Sequence, residues 1–315
     1  MSKTDLNNAI RLLRQGEVVA IPTETVYGLG GWILSREGLG KIFSTKERPF
    51  FDPLIVHIPD KEAARSLASV WTNIHEALAD ACWPGPLTLI AEKKPIIDSL
   101  ITSGLTSVGL RCPDHPLTLE LLRSIEGGIA APSANKFGKT SPTSAEHVAD
   151  EFGDTVAILD GGPCRVGIES TVAGVKGNEV EIYRPGFYTA AMLKEILAKA
   201  GISAEVRYTQ SPVAPGQLKH HYMPKIPLVI VPPHFHWEKD QEEIEKLLGK
   251  KLSQPAIWDQ PERSEIASRE LYESMRKFDS SGFDVIITKR LPSHRSEDWM
   301  GIWNRLEKAK TLSLE

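Results

Sequence analysis

The stretch 4-TDLNNAIRLLRQGEVVAIPTETVYGLGG-31 decides the fold class. Thr4-Asp5 can cap a helix running through about Gln15, because a short side-chain oxygen satisfies open amides of a first helical turn. The apolar run 18–21 then reads as a strand, followed by a Thr/Glu/Thr cluster and a glycine turn. A helix feeding a strand predicts an α/β domain. Hydroxyls and permissive glycines at the strand's end suit close backbone approach to a small polar ligand, although a capped strand and turn explains the stretch equally well by itself.

The alternation continues outward. Helices are predicted over 36–45, 61–67, 74–81, 116–124, 144–152 and 189–200, and strands over 54–58, 87–91, 107–110, 129–131, 156–159, 170–175 and 180–183. After Val206 the texture changes: 207-RYTQSPVAPGQLKHHYMPKIP-227 holds four prolines and a glycine without periodicity and reads as a connector. A second, smaller α/β unit is expected behind it, with strands over 228–231, 256–259 and 285–288 and helices near 240–248, 264–278 and 298–310. The chain therefore divides into domains 1–206 and 228–315 joined by 207–227, as 315 residues suggest on size alone.

Composition narrows the class. With 41% hydrophobic and 25% charged residues the chain is of globular type. No run approaches the roughly 18 apolar residues of a membrane span, and MSKTDLNNAIRLLRQ lacks a signal-peptide core, so a cytoplasmic location is expected. Cys82, Cys112 and Cys164 form no CxxC and read as buried hydrophobes, not as a disulfide or zinc framework. The net charge of −4 arises in residues 1–200, with 20 basic and 24 acidic residues, whereas 201–315 balance at 17 and 17. No basic stripe announces a nucleic-acid protein.

Several loops carry chemistry. In 46-KERPFFDPLIVHI-58, Lys46 and Arg48 sit on a loop between a helix and a strand, a point charge beside a planar fork, which suits phosphates. His57 lies inside a buried run and on its own reads as a core histidine. The segment 129-IAAPSANKFGKTSPTSAEH-147 narrowly fails as a P-loop, since GxxxxGK[ST] needs glycine where Ser133 stands. Its hydroxyls and amides before a helix make an anion cradle or, at Thr143 and Ser144, caps. Arg111 in 107-SVGLRCPDHP-116 is just past a strand, Ser170 in 167-GIESTV-172 is at a strand start, and Arg184 in 183-YRPG-186 precedes a proline turn. There is no GxSxG, HExxH or CxxC, so chemistry here would rest on positioning and charge neutralisation, as in phosphoryl or nucleotidyl transfer.

Together, PTETVYGLG, KERPFFDPLIVHI, WPGPLTLI, VGLRCPDHP, IAAPSAN, GIESTV and YRPG resemble, in order and spacing, the YrdC-like threonylcarbamoyl-AMP synthases. SPVAPGQLKHHYMP resembles the SPGxxxxHYAP connector of the long, two-domain members, and LYESMRKFDSSGFDVIITKRLP and WNRLEKA carry a fainter match beyond it. The resemblance implies a twisted mixed, mostly parallel sheet with a concave cationic cavity, plus a small Rossmann-like α/β domain. It implies synthesis of threonylcarbamoyl-adenylate and pyrophosphate from L-threonine, bicarbonate and ATP with Mg²⁺. Separate proteins would then transfer the group to tRNA. Thr25, His57, Arg111, Ala131 and Ser170 would contact threonine. Lys46, Arg48, Asp52, Ser107, Ser133, Asn135, Ser141, Arg184 and Tyr222 would hold ATP, with Lys46 and Arg48 at the reacting phosphates. Tyr222, with His221, would close as a lid. Arg111 would also help to deprotonate the threonine ammonium. Two positions depart from the family pattern: Asp52 stands where asparagine is usual, and Met223 where HYAP has alanine. A double-stranded RNA or tRNA-binding module without catalysis is the rival reading, disfavoured by the charge balance.

Overall fold

The computed structural model describes residues 3–209 and 221–314, in two compact units. The first comprises 3–137 and 141–209, the second 138–140 and 221–314. The expected connector falls largely on 210–220, outside the described residues.

In the first unit, chain order gives β1 (Lys3–Thr4), α1 (Leu6–Arg14), β2 (Val19–Ile21), β3 (Gly28–Trp32), α2 (Arg36–Lys46), β4 (Ile55–His57), α3 (Lys61–Leu67), α4 (Asn73–Cys82), β5 (Leu87–Glu92) and α5 (Ser99–Thr102). There follow β6 (Ser107–Arg111), α6 (Pro116–Arg123), β7 (Ile129–Ala130), α7 (Ala145–Phe152), β8 (Ala157–Leu159), β9 (Thr171–Lys176), β10 (Glu179–Arg184), α8 (Ala190–Lys199) and β11 (Glu205–Tyr208). Helix starts follow the capping chemistry: Asp5, Ser35, Asp60, Ser144 and Thr189 each accept a first-turn amide. β11 includes Arg207 and Tyr208, the first two residues of the expected connector, paired in parallel with β10.

The strands form one 11-stranded sheet in the order β1-β8-β2-β3-β7-β4-β6-β5-β9-β10-β11. It is mixed, but not mostly parallel: β2/β3, β3/β7, β4/β7, β5/β6 and β9/β10 are antiparallel. Antiparallel neighbours need no helical crossover, and β9 turns into β10 through Gly177 and Asn178 alone.

The glycine turn expected at 28–31 is a strand. Gly28, Gly30 and Gly31 serve close packing there and have no positive φ. A Cβ on Gly30 would lie 2.9 Å from Ile129 Cγ2, and one on Gly31 would lie 2.9 Å from Ile42 Cδ1 and 3.0 Å from the Gly38 carbonyl. Gly31→Ala should therefore cost about 1–3 kcal/mol by overpacking. Urea unfolding reads this, and unchanged stability would contradict the tight contact.

Alternation along the strands gives the sheet two different faces. On one, Ala20, Leu29, Val56, Leu110 and Ala130 pack on Leu39, Ile42 and Phe43 of α2 and Ala64 and Leu67 of α3. On the same side, Leu89, Ala173, Val180 and Ile182 pack on α4 and α8. The other face is covered by α1 and α6 around Val19, Ile21, Ile129 and Ala131. From β4 onward it mixes polar positions with the apolar cluster of Ile55, Val172 and Tyr183. His57 stands opposite Arg111 in the parallel β4–β6 register, and Ser107 and Glu92 follow on the same side.

The second unit contains β12 (Leu228–Val231), α9 (Trp237–Leu248), β13 (Pro255–Trp258), α10 (Ser264–Ser280), β14 (Val285–Lys289), α11 (Met300–Ala309) and β15 (Leu312–Ser313). Its sheet, β13-β14-β12-β15, is parallel throughout, which fits the Rossmann-like expectation; the last strand was not foreseen. Val229, Val231, Ile244, Val285 and Ile287 form its core. Among the described residues no helix is long and apolar enough to cross a membrane. Cys82, Cys112 and Cys164 are buried free thiols.

Candidate functional site

The turn after β2 sets the first cluster. Thr23 Oγ1 donates to the Val26 carbonyl (2.7 Å) and accepts from the amides of Thr25 and Val26, which closes the turn. The two threonine hydroxyls lie 2.8 Å apart. Either hydroxyl can supply the proton between them. Arg111 Nη2 at the end of β6 donates to Thr25 Oγ1 (2.9 Å) and is ion-paired with Glu24 Oε1 (2.8 Å). All of these groups are buried.

His57 is the register neighbour of Arg111 on β4. Burial, reinforced by the Arg111 charge, pushes its pKa down to about 3, so the imidazole is neutral. Among the described residues, His57 Nδ1 and Arg111 Nε are buried without a hydrogen-bond partner. Such atoms are rare unless a ligand or water completes them. The unfolded chain takes a proton at an ordinary histidine pKa of 6.5 that the folded chain refuses. This contribution to stability is complete above pH 6.5 and declines as pH falls toward 3. His57→Gln should accordingly lose stability less steeply on acidification across that window; parallel denaturant midpoints for the two proteins would contradict it.

Lys46 is not on a loop. It is the last residue of α2, and Glu47 caps the helix in a left-handed conformation (φ 55°). The Lys46 side chain is 1% exposed because its Nζ donates to the carbonyls of Ser133 (2.5 Å) and Asn135. Burial and the neighbouring Arg48 hold its pKa well below the usual lysine range. Phosphate oxygens would favour its charged form.

Arg48, which does lie on the loop after α2, is also buried. It forms an ion pair with Asp52 Oδ2 (2.8 Å) and donates to the carbonyls of Asp52 (3.2 Å) and Pro53 (3.0 Å). The departure at Asp52 thus places a counter-charge on the arginine expected to grip phosphate.

A third group centres on Ser170. Its Oγ lies 2.7 Å from Thr88 Oγ1 and accepts from Arg184 Nη2 (3.1 Å), while Arg184 Nε donates to the Ser170 carbonyl (3.1 Å). Ser141 Oγ donates to Glu169 Oε1 (2.6 Å). The Ser133 loop is tied to β3 through a bridge between Gly28 and Ser133. Ala131 lies buried there, its amide donating to Ile55.

The first unit thus links Thr25, Arg111 and His57; Lys46, Ser133 and Asn135; Arg48 and Asp52; and Ser141, Ser170 and Arg184. Ser107 is set apart. It shares the Arg111 face but begins β6, about 13 Å away along the strand. There it lines a separate 410 Å³ cavity with Ile90, Glu92 and Tyr183. Tyr222 belongs to the second unit, where it is 1% exposed at φ 65°, its ring 4.1 Å from His221 and 5.7 Å beneath the Arg305 guanidinium. Sequence reasoning missed Glu24, Thr88 and Glu169 as partners of the site. Glu24 and Glu169 stand beside predicted residues, and adjacency was the signal available for them.

The Glu24 ion pair corrects one expectation. Arg111 carries its own buried counter-charge, so it is not a bare cation that by itself drives a bound ammonium to lose its proton.

A family model described as "Telomere recombination" (Sua5, YciO, YrdC) matches residues 11–186, and one described as "Threonylcarbamoyl-AMP synthase, C-terminal domain" matches 188–311. Curated proteins named threonylcarbamoyl-AMP synthase are 36% identical in Pyrococcus abyssi, over 96% of this chain and 92% of that protein, and 36% identical in Bacillus subtilis, over 96% and 91%. The crystal structure of P. abyssi Sua5 complexed with L-threonine superposes with a TM-score of 0.84 at 32% identity, covering 99% of this chain and 98% of that one.

Proposed function

Because the chain belongs to the threonylcarbamoyl-AMP synthase family, in its form with the additional C-terminal domain, we propose that it condenses L-threonine, bicarbonate and ATP into threonylcarbamoyl-adenylate and pyrophosphate. The observation that supports this reading is the pair of buried, partnerless atoms, Arg111 Nε and His57 Nδ1, beside the Thr25 hydroxyl that accepts from Arg111. A guanidinium donor suits an amino-acid carboxylate, and the Thr25 oxygen suits its ammonium or hydroxyl. Ala131 and Ser170 would complete this pocket.

In this reading the neutral threonine amine attacks bicarbonate with loss of water, or attacks carbon dioxide formed from it with loss of a proton, giving a carbamate in either case. A carbamate oxygen then attacks the α-phosphorus of ATP, and pyrophosphate leaves with the bonding electrons. Lys46, Arg48 and Arg184 offset the charge that gathers there, while Ser133, Asn135 and Ser141 orient the nucleotide. Asp52 acts through Arg48, and Ser107 serves a part of ATP remote from the reacting phosphorus. No three metal-ligating side chains cluster among the described residues. Mg²⁺ therefore fits as an ion carried by the ATP phosphates and water, which is how this cation usually binds nucleotides.

The remaining assignments follow the same reading: residues 1–206 as the catalytic domain, 207–227 as connector and lid, and 228–315 as an accessory domain in the cytoplasm. Downstream proteins would carry the product to tRNA. Truncation after Thr209, which keeps β11 whole, should retain threonine binding and lose product, because a lid shields a labile adenylate from water. Unchanged product yield would refute the lid. The function itself is tested by pyrophosphate release that requires ATP, bicarbonate and L-threonine together, with L-serine as control. Release without threonine would overturn it, and a steep salt dependence of tRNA affinity without turnover would favour the binding-module rival.

A further inference from the structure

We propose that Glu24 is a positioning residue of the threonine pocket: its carboxylate, sealed behind Arg111, fixes the aim of the guanidinium that receives the amino acid. The inference rests on the reading of Arg111 and Thr25 as threonine contacts.

Accessibility separates the two partners. The Glu24 side chain is 0% exposed and the Arg111 side chain 5%, so the carboxylate is shut away from a ligand that the guanidinium can meet. Glu24 is itself anchored from two sides: Oε2 accepts from the Asp114 amide (3.1 Å), and its backbone carbonyl accepts from Val166 (2.8 Å). The remaining oxygen, Oε1, holds Arg111 Nη2 at 2.8 Å, and the same nitrogen donates to Thr25 at 2.9 Å. Only the Thr25 contact is a hydrogen bond; Glu24 Oε1 accepts none and acts on the guanidinium as a buried counter-charge at close range. The ion pair and the one Thr25 hydrogen bond together orient the planar guanidinium, whose Nε has no bond of its own.

Charge and geometry pull in opposite directions. A carboxylate behind Arg111 weakens its attraction for the carboxylate of threonine, so if charge dominated, removing Glu24 would tighten threonine binding. Geometry should dominate, because glutamine cannot replace both functions. Its single carbonyl oxygen can accept from Arg111 or from the Asp114 amide, and whichever it serves, its amide nitrogen confronts the other donor. The guanidinium then loses its fixed plane, and the pre-oriented contact is lost with it. The neutral pair also matches the zwitterion of a free amino acid, which brings no net charge into a buried site.

The test uses the full-length chain and steady-state pyrophosphate release, varying threonine at saturating ATP and then ATP at saturating threonine. Glu24→Gln is expected to raise the KM for threonine on the order of tenfold or more while the KM for ATP stays within about twofold. Equal rises in both constants would mean a merely structural carboxylate and would overturn the proposal; so would an unchanged or lowered threonine KM. If Glu24→Gln does not fold, Glu24→Asp carries the test. It keeps the charge but withdraws the oxygen by about 1.5 Å, and the same selective rise is expected. Arg111→Lys separates the two levels of inference. If it leaves the threonine KM unchanged, the pocket reading itself fails. If it raises that constant and the Glu24 variants do not, the role of Glu24 alone is refuted.

Discussion

Replacing Arg48 by alanine is expected to lower adenylate formation by a factor on the order of a hundred or more, the loss typical of a charge contact strengthened in the transition state. Arg48 is 7% exposed and ion-paired with Asp52 at 2.8 Å, so the substitution also strips a buried carboxylate of its counter-charge. Breaking such a pair from one side costs about 3–5 kcal/mol. Low activity alone would therefore not identify a catalytic role. The double variant Arg48→Ala with Asp52→Asn resolves the ambiguity, because it removes the stranded charge. Its thermal midpoint should rise well above that of the single variant while pyrophosphate release stays low. If release recovers together with stability, Arg48 serves the fold and not the phosphates.

Arg111→Ala is expected to abolish measurable threonine binding and to destabilise the first unit by about 3–5 kcal/mol, a large share of the roughly 5–15 kcal/mol that holds a domain together. The cause is Glu24, whose carboxylate would stay buried without its cation. Combining Arg111→Ala with Glu24→Gln should return much of the stability and none of the threonine affinity. Calorimetry with L-threonine and a denaturant series on both variants checks the two halves separately. Threonine affinity that returns with stability would remove Arg111 from the pocket.

Much of this was legible in the sequence because composition and period speak directly to local structure. The strands at 54–58 and 107–110 and the helix at 36–45 each lie within one or two residues of β4, β6 and α2. What sequence could not supply is sidedness and long-range pairing. GLGG reads as a turn by its glycines, and it is a strand because α2 and β7 press too close for a Cβ. Lys46 reads as a loop residue and is a buried helix end because its acceptors lie elsewhere: the carbonyls of Ser133 and Asn135 are nearly 90 positions away along the chain. Glu24 went unread as a partner for the same reason, with Arg111 on another strand. The family resemblance named many of the residues, but their gathering into four groups is a property of the folded sheet.

The two-faced sheet also governs which changes of length this protein can survive. In β4 and β6 the side chains alternate between the dry face and the face that carries His57 and Arg111. Adding or deleting a single residue inside either strand would swap the two sets, driving a guanidinium into the helix-packed core and exposing Val56 or Leu110. The Gly177–Asn178 hairpin is exposed and holds none of the linked residues, so a change in its length leaves the two faces of β4 and β6 in place. Lineages of this protein should therefore vary in length at the hairpin and stay fixed in length through residues 55–57 and 107–111.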